Sequence, residues 1–474
     1  MHTTERRSGK WTPRIAALTA LVVVAGCSPS GQPDDSSPSI TPRVSTADPR
    51  PGNLTQLWRD RLTTVHSLTG ARIVGDRMVL TGYPANPYDS YSPETVEVVD
   101  ADTGAPYWHR DVKDKADIGE GRVIFDLETV GVGGSGDAGV VAGVYLTPAC
   151  PGICPRSAQS VTEEKGVVAL SMSDGSLAWV SPVVPAVAEG TAQADINQAV
   201  IPSVVGSTTT AIIVGIPSTK GSPPAVVALD PANGRQLWRA DGYQAIEAVP
   251  GAVLVQDRTA SAPIKSGAPA VLDPATGAPR WTWTPPGNRS APGTAPSGTT
   301  APPVAGEPET VGWEASAGRF ALLSERGEGY VQVVVDTQAG KVLRSTSDSI
   351  WRLGTDAAGG YLLALVERLP RVEDEGGGSH ADLAVRTLTE ADPVGSPAPT
   401  GTTALPESAI GVGEGGVAAG RIAVAVGVGS SQLVDRSGKT LTEPVDGYIR
   451  LFTADRLVMG EGKGDPGFVV YGIG

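Results

Sequence analysis

The cysteine side chains are the residues of this sequence with the most distinctive possible chemistry. Cys150 and Cys154 lie close together in Pro148-Ala149-Cys150-Pro151-Gly152-Ile153-Cys154-Pro155. Outside the cytoplasm such a pair usually oxidises, and the intervening Pro and Gly favour a tight turn. A redox or copper-binding pair is the alternative. Redox pairs usually have two intervening residues at a helix N-terminus, and a metal needs further ligands, which the distant histidines do not supply. We therefore predict a small structural disulfide in a loop.

Carboxylates are the second group of candidate catalytic residues. Asp100, Asp230 and Asp273 each follow an apolar run and precede a glycine by four residues. This position favours a turn residue that bonds backbone N–H groups over a general base. The acidic run 373–375 could hold a cation loosely, but a solvated loop is favoured. The sequence has no Gly-x-Ser-x-Gly, His-Glu-x-x-His or phosphate-loop motif. We predict no catalytic, cofactor-binding or metal-binding residue.

The N-terminus has the pattern of an export signal. A basic flank precedes the apolar run Ile15–Val24, which is too short to span a bilayer. Val24-Ala25-Gly26-Cys27 resembles the lipobox of bacterial lipoproteins. The resemblance implies that residues 1–26 are removed and that Cys27 carries a diacylglycerol, with a further acyl chain such as palmitate on its amine. The alternative is an ordinary signal peptide with a chance cysteine.

The negative net charge of the chain limits the kinds of molecule that it is expected to bind. The chain has a net charge of −14, and residues 1–26 contribute four basic and one acidic residue, so the remainder is at −17. Such a chain is not expected to bind nucleic acid, which requires basic grooves. Electrostatic attachment to anionic lipid is excluded on the same ground, so the acyl chains must hold the protein to the membrane.

Composition divides the rest of the chain. Residues 28–53 are rich in Ser, Pro, Asp and Thr, which predicts a disordered tether following the lipidated cysteine. Its reach is roughly 25–30 Å. Residues 54–474 form the predicted folded body. Two Pro/Gly-rich insertions, 284–310 and 392–403, interrupt that body and are predicted to be exposed loops.

An internal repeat defines the architecture of the body. Short β-branched runs dominate and no helical period is sustained, which predicts an all-β chain. Four runs end in a turn whose glycine is followed four residues later by tryptophan, namely Gly104/Trp108, Gly175/Trp179, Gly234/Trp238 and Gly277/Trp281. Ser171 replaces the aspartate in the second copy. Two weaker copies end at Gly340, with Arg344 in place of tryptophan, and at Gly438. We expect each tryptophan to pack between neighbouring sheets, because a single small sheet cannot bury both its faces.

These units resemble the repeats of the PQQ-like β-propeller family, most fully in Val227–Trp238. The resemblance implies a propeller of four-stranded antiparallel blades; a β-sandwich array is the alternative. Unit ends fall near 112, 183, 241, 284, 346, 390 and 445. Leu54–Arg59 is a tryptophan strand without a unit of its own, and 446–474 is a unit without a closing strand. We therefore predict eight blades, or seven because the sixth is poorly marked, with the ring closed by the N-terminal strand.

The resemblance also bears on whether the protein is an enzyme or a binding protein. Quinone-dependent dehydrogenases of this fold use adjacent cysteines, a calcium site and an aspartate base, whereas three residues separate Cys150 from Cys154. We therefore predict a non-catalytic binding or scaffold protein on the extracytoplasmic face of the cell membrane. Its partner would be an envelope protein or a cell-wall ligand. It resembles, in fold and anchor, the propeller lipoprotein of outer-membrane assembly machines. One alternative is a PQQ-dependent or other oxidoreductase. The other is a polysaccharide-binding module that uses the out-of-register tryptophans Trp283, Trp313 and Trp351.

Overall fold

The fold is described for the parts of the chain that form strands and their tight turns. The computed structural model describes residues 54–60, 67–83, 95–111, 123–134, 138–146, 164–184, 201–208, 210–218, 222–259, 267–284, 310–326, 330–346, 350–356, 358–368, 372–373, 379–380, 382–390, 403–406, 415–427, 430–435, 439–460 and 468–473. Within these ranges the protein has 34 β-strands and no α-helix. The predicted all-β class is confirmed.

The strands form eight four-stranded antiparallel sheets, which we call blades 1 to 8. Blade 1 contains β2 (Ser67–Val74), β3 (Arg77–Tyr83), β4 (Thr95–Asp100) and β5 (Pro106–Asp111). Blade 2 contains β6 (Val123–Gly133), β7 (Val140–Leu146), β8 (Lys165–Ser171) and β9 (Leu177–Val184). Blade 3 contains β10 (Ser203–Ser207), β11 (Ile212–Ile216), β12 (Ala225–Leu229) and β13 (Gln236–Asp241). Blade 4 contains β14 (Tyr243–Val249), β15 (Ala252–Asp257), β16 (Ala268–Leu272) and β17 (Pro279–Thr282).

The second half of the ring repeats this order with two variations. Blade 5 contains β18 (Thr310–Ala317), β19 (Phe320–Arg326), β20 (Tyr330–Asp336) and β21 (Lys341–Thr346). Blade 6 contains β22 (Ile350–Thr355), β23 (Tyr361–Arg368), β26 (Asp382–Thr389) and β27 (Thr403–Pro406), with the small hairpin β24 (Val372–Glu373) and β25 (Ser379–His380) inserted. Blade 7 contains β28 (Gly415–Ala418), β29 (Arg421–Gly427), β30 (Ser430–Asp435) and β31 (Val445–Asp446). Blade 8 contains β32 (Tyr448–Phe452), β33 (Arg456–Gly460), β34 (Phe468–Ile473) and, as its fourth strand, β1 (Leu54–Asp60).

The blades stand in a closed ring. The first strand of each blade contacts the first strands of both neighbouring blades, from blade 1 round to blade 8 and back. These strands therefore form the inner wall, and the fourth strands lie on the outside. Strand β1 pairs antiparallel with β34, from Leu54 opposite Ile473 to Asp60 opposite Phe468. The eight-bladed propeller and its closure by the N-terminal strand are confirmed.

The sixth blade ends later than the sequence predicts. Its boundary was expected near residue 390, but its fourth strand, β27, pairs with β26 and ends at Pro406. The Pro/Gly-rich tract 392–403 falls between these two strands except for Thr403, which the structure places in β27 and not in a loop. In the other blades a short turn usually joins the third and fourth strands and marks the end of the unit. In blade 6 the tract takes the place of that turn, so the repeat cannot be recognised there.

The core lies between blades. The middle strands are buried along their whole length, as in β11, β12 and β16. One apolar cluster joins β7 and β8 of blade 2 to β11 and β12 of blade 3, and others join blade 1 to blade 2 and blade 8 to blade 1. Because the middle strands have no solvent-exposed face, a blade is stable only when stacked between two others.

The two ends of the blades differ. We call the end with the links between first and second strands, and between third and fourth strands, the turn face. The opposite end is the connection face. Links on the turn face are mostly tight, such as 75–76 and 101–105. The longest links, including 147–164, 185–202 and 283–309, join strands on the connection face.

The repeat glycines lie where a turn packs closely against the neighbouring blade. Gly234 has φ +71°, and a Cβ there would lie 2.5 Å from the ring of Trp179. Gly75 has φ +63° in another turn, but nothing lies within 4 Å of its Cβ position. We expect Gly75→Ala to cost only backbone strain, about 1 kcal/mol, and Gly234→Ala to cost more, since the neighbouring blade must also move. Urea unfolding midpoints of both variants measure the difference; equal losses would contradict the packing role.

Candidate functional site

The repeat aspartates lie in turns, where they accept backbone hydrogen bonds. Asp100 Oδ1 accepts from the N–H groups of Asp102 (3.1 Å) and Thr103 (2.7 Å) and from the Thr103 hydroxyl (2.7 Å). The Gly104 N–H donates to the Asp100 carbonyl at 2.9 Å, with φ +71° at the glycine. The side chain thus satisfies N–H groups that the turn leaves without a ladder partner.

Other copies of the turn have the same geometry. Asp230 accepts from the N–H of Ala232 at 2.9 Å, and Asp273 accepts from the N–H of Ala275 at 2.8 Å. Asp273 also pairs with Arg280, 2.5 Å away. In the copy that lacks aspartate, Ser171 Oγ accepts from the Ser173 N–H at 3.1 Å.

The turn environment lowers the pKa of two of these aspartates. At Asp100, partial burial raises the pKa, but the hydrogen bonds from Thr103 and Asp102 outweigh it and the net pKa is lowered. At Asp273, burial again raises the pKa, but the hydrogen bonds from Arg280 and from the turn N–H groups outweigh it, so the net pKa is lowered. A carboxylate with a lowered pKa holds protons poorly and is a weak general base. The arrangement therefore suits structure better than catalysis.

Four tryptophans, three of them from the repeat, attach their blades to the turn of the next blade. The indole ring packs on the glycine of that turn. Its Nε1–H donates to the backbone carbonyl of the residue that directly follows the aspartate or serine at the start of the turn. These bonds are Trp58 to Ala101 (3.0 Å), Trp108 to Met172 (3.1 Å), Trp179 to Pro231 (2.8 Å) and Trp238 to Pro274 (2.8 Å). The series runs without interruption from blade 8 to blade 4. Trp58 was placed on a strand by the sequence, but only ring closure shows that it belongs to this series.

The series changes after blade 4. Trp281 lies beside the next turn glycine, Gly340, but its ring packs against Trp313, with 5.9 Å between ring centroids. In blade 5, Arg344 stands in the tryptophan position. Its buried guanidinium donates to the Tyr361 hydroxyl (2.9 Å) and to the Thr389 carbonyl (3.5 Å) of blade 6. Arg344 thus joins blades 5 and 6 by polar contacts.

The proposed sugar-stacking tryptophans are not an exposed set. Trp283 is 1% exposed, and its indole N–H donates to the Glu325 carboxylate of blade 5, so its assignment to the surface is wrong. Its backbone extends β17, with its N–H 2.8 Å from the Pro269 carbonyl, which draws the ring between blades 4 and 5. Trp313 is half-buried and donates to the Val255 carbonyl at 2.9 Å. The side chain of Trp351 lies outside the described part.

The inner wall carries charged residues that the sequence analysis missed. Arg72 lies on β2 and Glu247 on β14, the innermost strands of the non-neighbouring blades 1 and 4, and their charges interact electrostatically. Burial lowers the pKa of Arg72, and the Glu247 carboxylate opposes this. Burial also lowers the pKa of Arg352 on β22. The only sequence signal was an arginine within an otherwise apolar strand, which is ambiguous without the ring.

Several predicted features lie outside the described residues: Cys27, Cys150, Cys154, the tether 28–53 and most of both Pro/Gly-rich insertions. Lipidation and the disulfide stay predictions. In the sequence, Cys150 and Cys154 lie between β7 and β8. Among the described residues, no three His, Cys, Asp or Glu side chains are grouped to hold a metal ion. No helix in those ranges has the length and apolarity to cross a membrane.

Together these features define a propeller of tryptophan-joined repeats. A sequence profile for the family described as "Outer membrane protein assembly factor BamB" matches residues 43–311 and 223–355, together about two thirds of the chain. The chain belongs to this family of PQQ-like β-propellers, as the repeat predicted. A search of curated proteins found no match.

A comparison with solved structures finds similar chains at low sequence identity. BamB from Moraxella catarrhalis is 15% identical, with a TM-score of 0.45, over 89% of this chain and 100% of that chain. Quinohemoprotein alcohol dehydrogenase from Comamonas testosteroni is 11% identical, with a TM-score of 0.45, over 89% of this chain and 76% of that chain. The Dos1 propeller is 11% identical, with a TM-score of 0.44, over 88% and 95% of the two chains.

The lowered pKa values predict a loss of stability in acid. Because folding lowers the pKa of Asp100, its stabilising effect is present above the unfolded-state pKa of about 4 and is lost as pH falls through the folded-state value. We expect Asp100→Asn to reduce the fall in the urea midpoint between about pH 5 and pH 2. As control, Asp241→Asn removes an exposed carboxylate from an outer strand without altering a repeat turn. An unchanged acid dependence in Asp100→Asn would contradict the assignment.

Proposed function

We propose that this protein is a non-catalytic scaffold that binds an envelope protein through its connection face. One observation carries the proposal: the two faces are used differently. On the turn face, the repeat aspartates, glycines and tryptophans are engaged in turns and blade junctions. The longest links gather on the other face, and long loops on a rigid scaffold are where binding surfaces form.

The proposed location is the extracytoplasmic face of the cell membrane, with lipid on Cys27 as the anchor. The lipobox resemblance and the tether-like composition of residues 28–53 support it. The membership of a family described as an outer membrane protein assembly factor is consistent with a binding role in the envelope. A tether with a reach of roughly 25–30 Å would let the ring contact a membrane-bound partner without lying on the bilayer.

An oxidoreductase is the second candidate, and the inner-wall charges favour it in one respect: Arg72 and Arg352 could bind an anionic cofactor. Against it, Asp100 and Asp273 are poor bases, because the hydrogen bonds they accept lower their pKa. The polysaccharide alternative is weakened by the burial of Trp283.

Site-specific crosslinking tests the scaffold. A photo-crosslinking amino acid would replace Thr284, which closely follows β17, or Asp446, which ends β31; both are exposed at the connection-face ends of outer strands. Ala232 and Ala275, exposed in turns on the opposite face, are the matched controls. We expect discrete protein adducts in the native envelope from the first pair and none from the second. Equal adducts from both faces, or none from either, would contradict the proposal. Saturable PQQ binding with calcium-dependent dye reduction would favour the oxidoreductase.

The anchor has its own test. Cys27→Ser removes the thiol that accepts lipid, and each buried CH₂ of an acyl chain contributes about 0.8 kcal/mol to membrane binding. We therefore expect the variant to move from the membrane fraction to the soluble fraction. Ser28→Ala alters the adjacent residue and should stay with the membrane. Cell fractionation followed by immunoblotting measures this, and a membrane-bound Cys27→Ser protein would refute the lipid anchor.

A further inference from the structure

The strand that closes the ring begins on the turn face. Leu54, the first residue of β1, lies opposite Ile473, the last residue of β34. Strand β34 is the third strand of its blade, and third strands end on the turn face. The Ile473 N–H also donates at 3.0 Å to the carbonyl of Asp455, in the turn between β32 and β33. The polypeptide that precedes Leu54 therefore joins the ring on the turn face.

The core holds the start of β1 in place. Leu54 is 3% exposed and packs in an apolar cluster with Leu433 of blade 7 and Leu457 of blade 8. Trp58 is equally buried and donates to the Ala101 carbonyl in a turn of blade 1. Because β1 contacts both neighbouring blades, the point at which the chain joins the ring is fixed.

The links proposed for binding lie on the other side of the ring. Strand β1 has seven residues and ends at Asp60, opposite Phe468 at the connection-face end of β34. At about 3.3 Å per residue, β1 spans about 20 Å between the two faces. The longest links, such as 147–164 and 185–202, join strands on the connection face. The entry point of the chain and the proposed binding links are thus about 20 Å apart along the ring axis.

The predicted tether makes this separation important. Residues 28–53 have a reach of roughly 25–30 Å. If the turn face points toward the membrane, all of this reach separates the ring from the bilayer. If the connection face points toward the membrane, the tether must first pass back along β1, which leaves roughly 5–10 Å. The second arrangement restricts the tether to far fewer conformations, so chain entropy favours the first.

Charge does not oppose the first arrangement. The turn face has exposed carboxylates, among them Asp76 and Asp174, and anionic lipids repel them at short range. The Debye length at physiological ionic strength is about 8 Å, which is shorter than the reach of the tether. The turn face can therefore point toward the membrane while it stays clear of the lipid surface.

We propose that the ring stands with its turn face toward the membrane and presents its connection face away from it. The proposal rests on the scaffold function and on lipid at Cys27. It also specifies the kind of partner: an envelope protein whose bound segment lies beyond the ring, roughly 45–50 Å from the bilayer, and not at the membrane surface.

Energy transfer to labelled lipid tests the orientation. The lipidated protein would be placed in vesicles of phosphatidylethanolamine and phosphatidylglycerol that carry an acceptor dye on the head groups. A donor dye on an unnatural amino acid would replace Ala232 or Ala275 on the turn face, or Thr284 or Asp446 on the connection face. We expect the turn-face donors to lie about 20 Å nearer the acceptors. Equal distances, nearer connection-face donors, or no transfer from any position would overturn the proposal.

A longer tether separates an orientation set by the tether from one set by contact with lipid. Duplication of residues 28–53 increases the reach about 1.4-fold, so the chain can pass the ring more easily. We expect the distance difference between the two faces to shrink. An undiminished difference would mean that the turn face itself adheres to lipid, which contradicts the proposal. Thermal unfolding midpoints show that each variant is folded.

The orientation and the scaffold can fail separately. Crosslinking reports which face meets the partner, whereas energy transfer reports which face meets the bilayer. Adducts from Thr284 or Asp446 combined with connection-face donors nearer the lipid would reject the orientation and keep the scaffold. Turn-face donors nearer the lipid without any adduct would keep the orientation and reject the scaffold.

Discussion

The contact between a tryptophan and the turn of the next blade is the interaction on which this ring depends. An indole ring covers a glycine that has no Cβ, and its N–H donates to a carbonyl that the turn leaves without a partner. Three requirements meet at one place: positive φ, close approach and hydrogen bonding. Glycine, aspartate and tryptophan must therefore recur at a fixed spacing. From blade 8 to blade 4 this contact sets the spacing of neighbouring sheets, and the apolar clusters fill the space so defined.

The repeat is visible in the sequence because that contact is made by residues close along the chain. Gly234 and Trp238 mark the end of one blade independently of distant contacts, so the fold and six of the seven proposed boundaries could be predicted from local sequence. The sixth boundary could not be, since an insertion separates β26 from β27 and leaves no local mark. The prediction for Trp283 was wrong for a different reason. Its position outside the repeat register suggested an exposed side chain, but residues of the adjacent blade 5 cover it.

Candidate binding residues were harder to predict for a related reason. Gln244 on β14 and Arg258, just after β15, pair across neighbouring strands. Arg72 and Glu247 interact electrostatically only because closure of the ring brings the inner strands of blades 1 and 4 near each other. None of these groups has a spacing that a linear pattern could detect. The turn residues, by contrast, act within five positions of one another, so their hydrogen bonds could be inferred from residue type alone.

Closure by β1 has a consequence for the order of assembly. Its partner β34 lies more than 400 positions away along the chain, so Leu54 and Ile473 can pair only after all the strands of blades 1 to 7 have been synthesised. Until then β1 is a strand without a neighbour, and blade 1 lacks the indole of Trp58 on its turn. Loop closure over this distance costs chain entropy that local hairpins do not, so the ring is expected to close after its blades form. A chain truncated anywhere before its final strand would keep an open sheet edge at its first one.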